Sequence, residues 1–137
     1  MYEWSHSVTT TATPEQVWPL YADVDRWLEW DSGLVSVTLD GDFVVGSRGV
    51  LGVEGQPPLE WELTEVVENS LFTDVTEIPG VATLTFVHRI EPTATGSVIT
   101  HEVRIVGPAA GELGPSVTSD TPECMERLAE IAAARSL

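Results

Sequence analysis

The alternation of apolar and polar positions is sharpest between Val81 and Val106, VATLTFVHRIEPTATGSVITHEVRIV. Two runs flank Pro92-Thr93-Ala94-Thr95-Gly96, a turn-rich break that predicts the loop of a long β-hairpin. Leu84, Phe86, His88 and Ile90 share one parity in the first run, and Ile99, His101, Val103 and Ile105 share one in the second. Side chains alternate across a strand, so each quartet lies on one face. Pairing Ile90 with Ile99 sets His88 opposite His101, Phe86 opposite Val103 and Leu84 opposite Ile105. Thr83, Thr85, Val87, Arg89, Thr100, Glu102 and Arg104 then face water, with Arg89 placed to pair diagonally with Glu102. A slip of one residue would expose the apolar set, so the register is strongly specified. Two histidines on a face patterned for burial are the chemical oddity of this stretch.

The same periodicity orders the rest of the chain. Tyr2, Trp4, His6 and Val8 alternate in a first strand. Thr13-Pro14-Glu15-Gln16 is a capping box with proline in the first helical position, so a helix starts at Pro14 and Pro19 keeps it short or bent. Asp23 is placed to cap a second short helix through Trp30. Strands follow at Leu34–Leu39, Phe43–Val53 and Leu59–Val67, with Leu59, Trp61 and Leu63 on one face. Leu71–Ile78 is a further strand whose inward parity the alternation leaves open. The glycines at 46, 49, 52 and 55 precede no helix, which excludes a phosphate cradle and predicts bends or bulges. Beyond Val106, Gly114, Pro115 and Val117-Thr118-Ser119 make a poor helix, whereas Thr121-Pro122-Glu123 opens a good one running to the end of the chain. Its stripe of Cys124, Leu128, Ile131 and Arg135, with Met125, Ala129 and Ala132 beside it, is the natural lid for the apolar face of the sheet.

Composition narrows what such a fold can do. Six arginines and no lysine against 22 acidic residues give a formal charge of −16, which repels nucleic acid and anionic membranes. No apolar run approaches the length of a membrane span, so the expectation is a soluble, cytoplasmic protein, one domain over 1–137. The single cysteine excludes an internal disulfide and a cysteine-rich zinc site. Asp23, Asp25, Glu29 and Asp31 lack the spacing of a calcium loop and read as caps and surface. A metal at His88 and His101 would need a third ligand, for which Glu77 and Asp74 are conceivable. The reading assigns no metal and no cofactor.

One strand, two short helices, about six strands and a long terminal helix make an α+β architecture, a curved antiparallel sheet of about seven strands wrapped around the C-terminal helix. TPEQVWPLYADVDRWLEWDS, LDGDFVVGSRG, FVHRIEP and GSVITHEVRIVGP carry a resemblance to the START-like, helix-grip superfamily, and within it to the polyketide cyclase/dehydrase and lipid-transport-like proteins. The resemblance implies a deep hydrophobic cavity between sheet and terminal helix. Tyr21, Trp30, Trp61, Phe86, His88, His101, Val103, Cys124 and Leu128 are the candidate lining residues. The first functional reading is a carrier or sensor of a small hydrophobic molecule, with room for a homodimer. The second is a cyclase or dehydratase with His88 or His101 as general acid/base. The third is a protein-interaction module with a filled core, in which the histidines hydrogen-bond each other or a neighbouring carboxyl or hydroxyl.

Overall fold

The computed structural model describes residues 1–134. Strand β1 (Tyr2–Thr10) leads to helix α1 (Pro14–Ala22), a single 3-10 turn (Val24–Arg26) and the short helix α2 (Trp27–Trp30). Six strands follow, β2 (Leu34–Asp40), β3 (Arg48–Val53), β4 (Leu59–Val67), β5 (Leu71–Ile78), β6 (Ala82–Thr93) and β7 (Gly96–Val106), and then α3 (Ala110–Thr118) and α4 (Thr121–Ala134). The strands form one antiparallel sheet in the order β1-β7-β6-β5-β4-β3-β2. The first strand therefore closes against the last, and helices cover one face. This is the helix-grip arrangement expected from the order of elements.

The central hairpin adopts the register required by its hydrophobic parity: Ile90 pairs with Ile99, His88 with His101, Phe86 with Val103 and Leu84 with Ile105. Its loop is tighter than the break around Pro92 indicated, because Thr93 still pairs with Gly96 and only Ala94 and Thr95 turn. On the outer face Arg89 reaches Glu102 at 3.2 Å and Arg104 approaches Glu3. Arg48 is also outward, at 3.0 Å from Glu62.

At the first helix, the Thr13 N–H donates to Gln16 Oε1 at 2.7 Å, as a capping box requires. Two expectations need correction. Phe43, Val44 and Val45 are not in a strand: the chain turns there, Gly46 sits at φ +94°, its N–H bonds to the Leu63 carbonyl, and the strand begins only at Arg48. The stretch around Gly114 and Pro115 is helical as α3, despite a proline inside it. Burial outweighs propensity, since the Tyr2 ring lies where a side chain on residue 114 would stand, and only glycine permits that approach. The predicted interruption falls instead at Ser119 and Asp120, between α3 and α4. Arg135, assigned to the α4 stripe, lies outside the described residues.

The covered face carries two apolar clusters. The larger joins α1, α2 and α4 to the sheet through Val17, Trp18, Tyr21, Trp27, Trp30, Trp61, Phe72 and Leu128, among others. The smaller, under α3, is built on Ala82, Leu84, Val103, Ile105 and Ala110. Ties far apart in sequence hold the first: Thr10 Oγ1 donates to the Ala129 carbonyl at 3.1 Å, and Ser97 Oγ to the Ala12 carbonyl at 2.7 Å.

Candidate functional site

Antiparallel pairing lays the inner side chains out in rows across the sheet. One row runs His6, His101, His88, Phe72. The next runs Trp4, Val103, Phe86, Asp74, Leu63, and the one after it Tyr2, Ile105, Leu84, Thr76, Trp61, Gly49. All three histidines of the chain stand side by side in the first of these rows. His6 has the right parity in its strand, but only the pairing of β1 with β7 brings it beside His101. The parity of β5 is also settled: Phe72, Asp74 and Thr76 face inward, and Glu77 faces out.

Both central histidines are buried, with ring centroids 4.6 Å apart. His101 Nε2 lies 2.7 Å from Tyr21 Oη. Burial pushes the Tyr21 phenol well above its ordinary value of 10.0, so it keeps its proton and donates to His101. His101 is held well below 6.5 by burial, with a smaller push from the neighbouring His88 and His6. His88 stacks on the Phe72 ring at 3.9 Å between centroids. Its Nδ1 lies 3.3 Å from the Phe72 carbonyl, which can only accept, so the proton sits on Nδ1 and Nε2 is left as an acceptor. Burial lowers this imidazole to about 3.

Asp74 Oδ2 is 4.0 Å from His88 Nδ1, near enough for an ion pair if both were charged. The pair is nonetheless neutral. Burial, reinforced by the charge of Asp31, raises the Asp74 carboxyl to about 8, while His88 moves the other way. The result is a protonated acid beside an uncharged imidazole in an apolar interior. Two further polar atoms there have no hydrogen-bond partner, Trp61 Nε1 and Thr76 Oγ1, and their residues are only 2% exposed.

The predicted lining residues divide between the two clusters. Tyr21, Trp30, Trp61, Cys124 and Leu128 belong to the larger, Phe86 and Val103 to the smaller, and His88 and His101 lie against the Tyr21 ring. Rings fill the ground between α4 and the sheet more fully than a deep cavity there implies. Tyr21 packs edge-on to Phe72, Trp27 stacks on Phe72, and the Trp30 and Trp27 indoles donate to the carbonyls of Leu20 and Tyr21. The half-buried inner-face side chains next to the histidine row are His6, Trp4 and Phe86, along the seam between the clusters. Cys124 is buried with its Sγ 3.8 Å from Asp31 Oδ1, and burial raises its thiol, the opposite of what a nucleophile needs. Two surface depressions of about 580 and 570 Å³ lie elsewhere, at the tip of the β6–β7 hairpin and on the outer face around Arg89. Among the described residues no three His, Cys, Asp or Glu side chains are grouped to hold a metal ion.

Alternation left Phe72, Asp74 and Thr76 on β5 unplaced, and it gave His6 on β1 no partner. The parity of His6 was legible; its neighbour was not.

Fold and interior together define a START-like, helix-grip protein, a sheet gripping a terminal helix over a mostly apolar interior. The chain belongs to the family described as polyketide cyclase/dehydrase and lipid transport, which matches residues 1–133. Among solved structures it is similar to protein MLL2253 from Mesorhizobium loti, with a TM-score of 0.79 at 17% identity over 95% of this chain and 96% of that one. It is similar to Ara h 8.0201, with a TM-score of 0.76 at 12% identity over 97% and 98% of the two chains. It is also similar to the di-domain ARO/CYC StfQ from the steffimycin biosynthetic pathway, with a TM-score of 0.82 at 8% identity over 98% of this chain. It spans only 52% of that di-domain chain. At such identities the likeness carries the fold alone. No curated protein matches the sequence. No described helix is long and apolar enough to cross a membrane.

Proposed function

We propose that this chain binds a small, mostly apolar molecule on the inner face of its sheet, as a carrier or sensor, with entry along the seam between the two clusters. The supporting observation is the polar patch on that face. Asp74, His88, His101 and Tyr21 are all buried, all in their uncharged forms, and set among aromatic rings. A filled structural core gains nothing from so many desolvated polar groups, whereas a ligand site uses a few of them to orient an apolar guest. The half-buried Trp4, His6 and Phe86 beside that patch are the part of the wall a guest reaches first. Family membership supports the same class of function.

Native mass spectrometry of freshly purified protein tests the reading by detecting a co-purifying small molecule. Titration with neutral naphthalene derivatives, followed by the indole N–H signals in NMR spectra, tests it independently. A chain that arrives empty and whose indole signals stay unmoved is a filled interaction module, and the binding reading falls.

A second reading, loss of water from a β-hydroxy carbonyl compound, is favoured by one observation: the buried Asp74 carboxyl stands 4.0 Å from the His88 ring, and burial raises it so that it can give a proton to a departing hydroxyl. The free Nε2 of His88 is the matching acceptor for the proton next to the carbonyl. If this chemistry occurs, Asp74→Asn and His88→Gln each abolish turnover while binding persists; unchanged turnover in both variants removes the enzymatic reading.

A further inference from the structure

We infer that Trp61 Nε1 and Thr76 Oγ1 are the polar anchor of the bound molecule and that they select an uncharged guest bearing a carbonyl oxygen. This inference rests on the binding reading above and adds to it the chemical class of the ligand.

Trp61 and Thr76 are direct partners across β4 and β5, in the inner row adjacent to that of Asp74. Each is 2% exposed, and neither polar atom has a partner. Leaving a buried donor unsatisfied forfeits the hydrogen bond it made with water, so folded proteins avoid it unless something else supplies the partner. The contrast within the same cluster is direct. Trp27 and Trp30, equally enclosed, give their indole N–H to the carbonyls of Tyr21 and Leu20 at 2.8 and 3.1 Å. Trp61 lies tilted against Trp27 at 5.1 Å between centroids, and its ring lies over Gly49, where a side chain would collide with it. The ring is therefore held in place by packing while its N–H stays free.

An indole N–H donates and never accepts, so its partner must carry an acceptor. The Thr76 hydroxyl can donate to the same kind of group. Asp74, two residues along β5 on the same face, is a third donor in its protonated form.

Among the described residues nothing offsets the charge of the commonest alternative acceptor, a carboxylate. The chain has no lysine. Arg26, Arg48, Arg89 and Arg104 are engaged with surface glutamates, and Arg127 is exposed. No described cation reaches the interior to compensate a buried anion. A ketone, quinone or similar neutral carbonyl satisfies the donors without importing charge.

The test compares four probes on one aromatic body, titrated calorimetrically into the full chain: methyl naphthyl ketone, its planar hydrocarbon isostere isopropenylnaphthalene, naphthoate and naphthylmethylammonium. The ketone is expected to bind about tenfold more tightly than the isostere, the size of one well-made neutral hydrogen bond. It also outranks both ions. Thr76→Val keeps the side-chain shape and lowers the ketone-to-isostere ratio several-fold without weakening the isostere; Trp61→Phe lowers the ratio likewise. Thr76→Val decides the matter if Trp61→Phe does not fold. Equal binding of ketone and isostere to the native chain overturns the anchor and leaves the binding reading standing, with the two donors served by water. A preference for naphthoate overturns the exclusion of anions. A preference for the ammonium assigns the site to Asp74 instead, which also overturns the anchor. A ratio that survives Thr76→Val removes the role of the hydroxyl and with it the inference. If no probe binds, the binding reading itself has failed.

Discussion

The two clusters on the covered face are built differently. The larger packs α1, α2 and α4 on the sheet with interlocking rings, and Tyr21, Trp27 and Trp30 have hydrogen-bond partners for their polar atoms. The smaller holds α3 through aliphatic side chains, with Tyr2, Trp4, Phe86 and Leu113 only partly covered. One cluster is a rigid frame and the other a looser flap, and Asp74, Thr76 and His6 sit along the rows where they meet. Rings and buried hydrogen bonds secure the frame, and on the proposed binding reading a guest would displace only the weakly packed side. Regions with few buried contacts are the ones that open at low cost.

Truncation should reveal the contrast most strongly. Phe72→Ala, at a fully buried ring stacked on His88, is expected to cost about 3–5 kcal/mol in urea unfolding, and Leu84→Ala in the smaller cluster about 2 kcal/mol. Equal losses would abolish the distinction between frame and flap.

The seam should announce itself in pH dependence. The folded state holds the Asp74 proton up to about 8, against an ordinary value of 3.8, so this contribution to stability is complete below about pH 4 and is lost as pH rises towards 8. His88 and His101 are shifted the other way. Their contribution is complete above 6.5 and is lost as pH falls below it. Between pH 6.5 and 8 the loss of the Asp74 contribution outweighs the last of the gain from the two histidines, and the unfolding free energy should fall by about 1 kcal/mol, given about 1.4 kcal/mol per unit for one proton. Asp74→Asn should flatten this decline. A wild-type profile already flat across that window would mean that Asp74 is ionised and its environment wetter than described.

Hydrogen-bond deletions should sharpen the same comparison on a smaller scale. Tyr21→Phe leaves His101 Nε2 unsatisfied in the frame and is expected to cost about 1–2 kcal/mol. Tyr2→Phe removes the part-buried contact to Thr118 under the flap and should cost about 0.5 kcal/mol. Smallest of all, Arg89→Ala on the outer face should change stability by less than about 0.5 kcal/mol, since its ion pair with Glu102 is solvated. A larger loss there would show that the outer face contributes to the fold.

Legibility followed the same division. Where apolar and polar residues alternate cleanly, as in β6 and β7, every inner pair was readable, including His88 with His101. Strand β5 breaks the rule: Leu71 and Val75 face outward while Asp74 and Thr76 face inward beside Phe72. Hydropathy leaves the parity open there because apolar and polar residues occupy both faces of the strand. Phe43 was misplaced in a strand for a related reason. Its ring turns in from a loop to meet Trp18 and Phe72, a contact no periodicity encodes.

Alternation, capping and helix stripes determined, without reference to any coordinates, which faces of β1, β4, β6 and β7 are buried and how the central hairpin is aligned. These are local effects, acting between residues two to four positions apart. Tertiary structure alone decided that His6 joins the histidine row, that Tyr21 serves His101 from 80 residues away, and that Asp74, Thr76 and Trp61 share one enclosed region. Those contacts depend on the order in which strands pair and on how water is excluded once helices close over them, and neither is written in the spacing of neighbours along the chain.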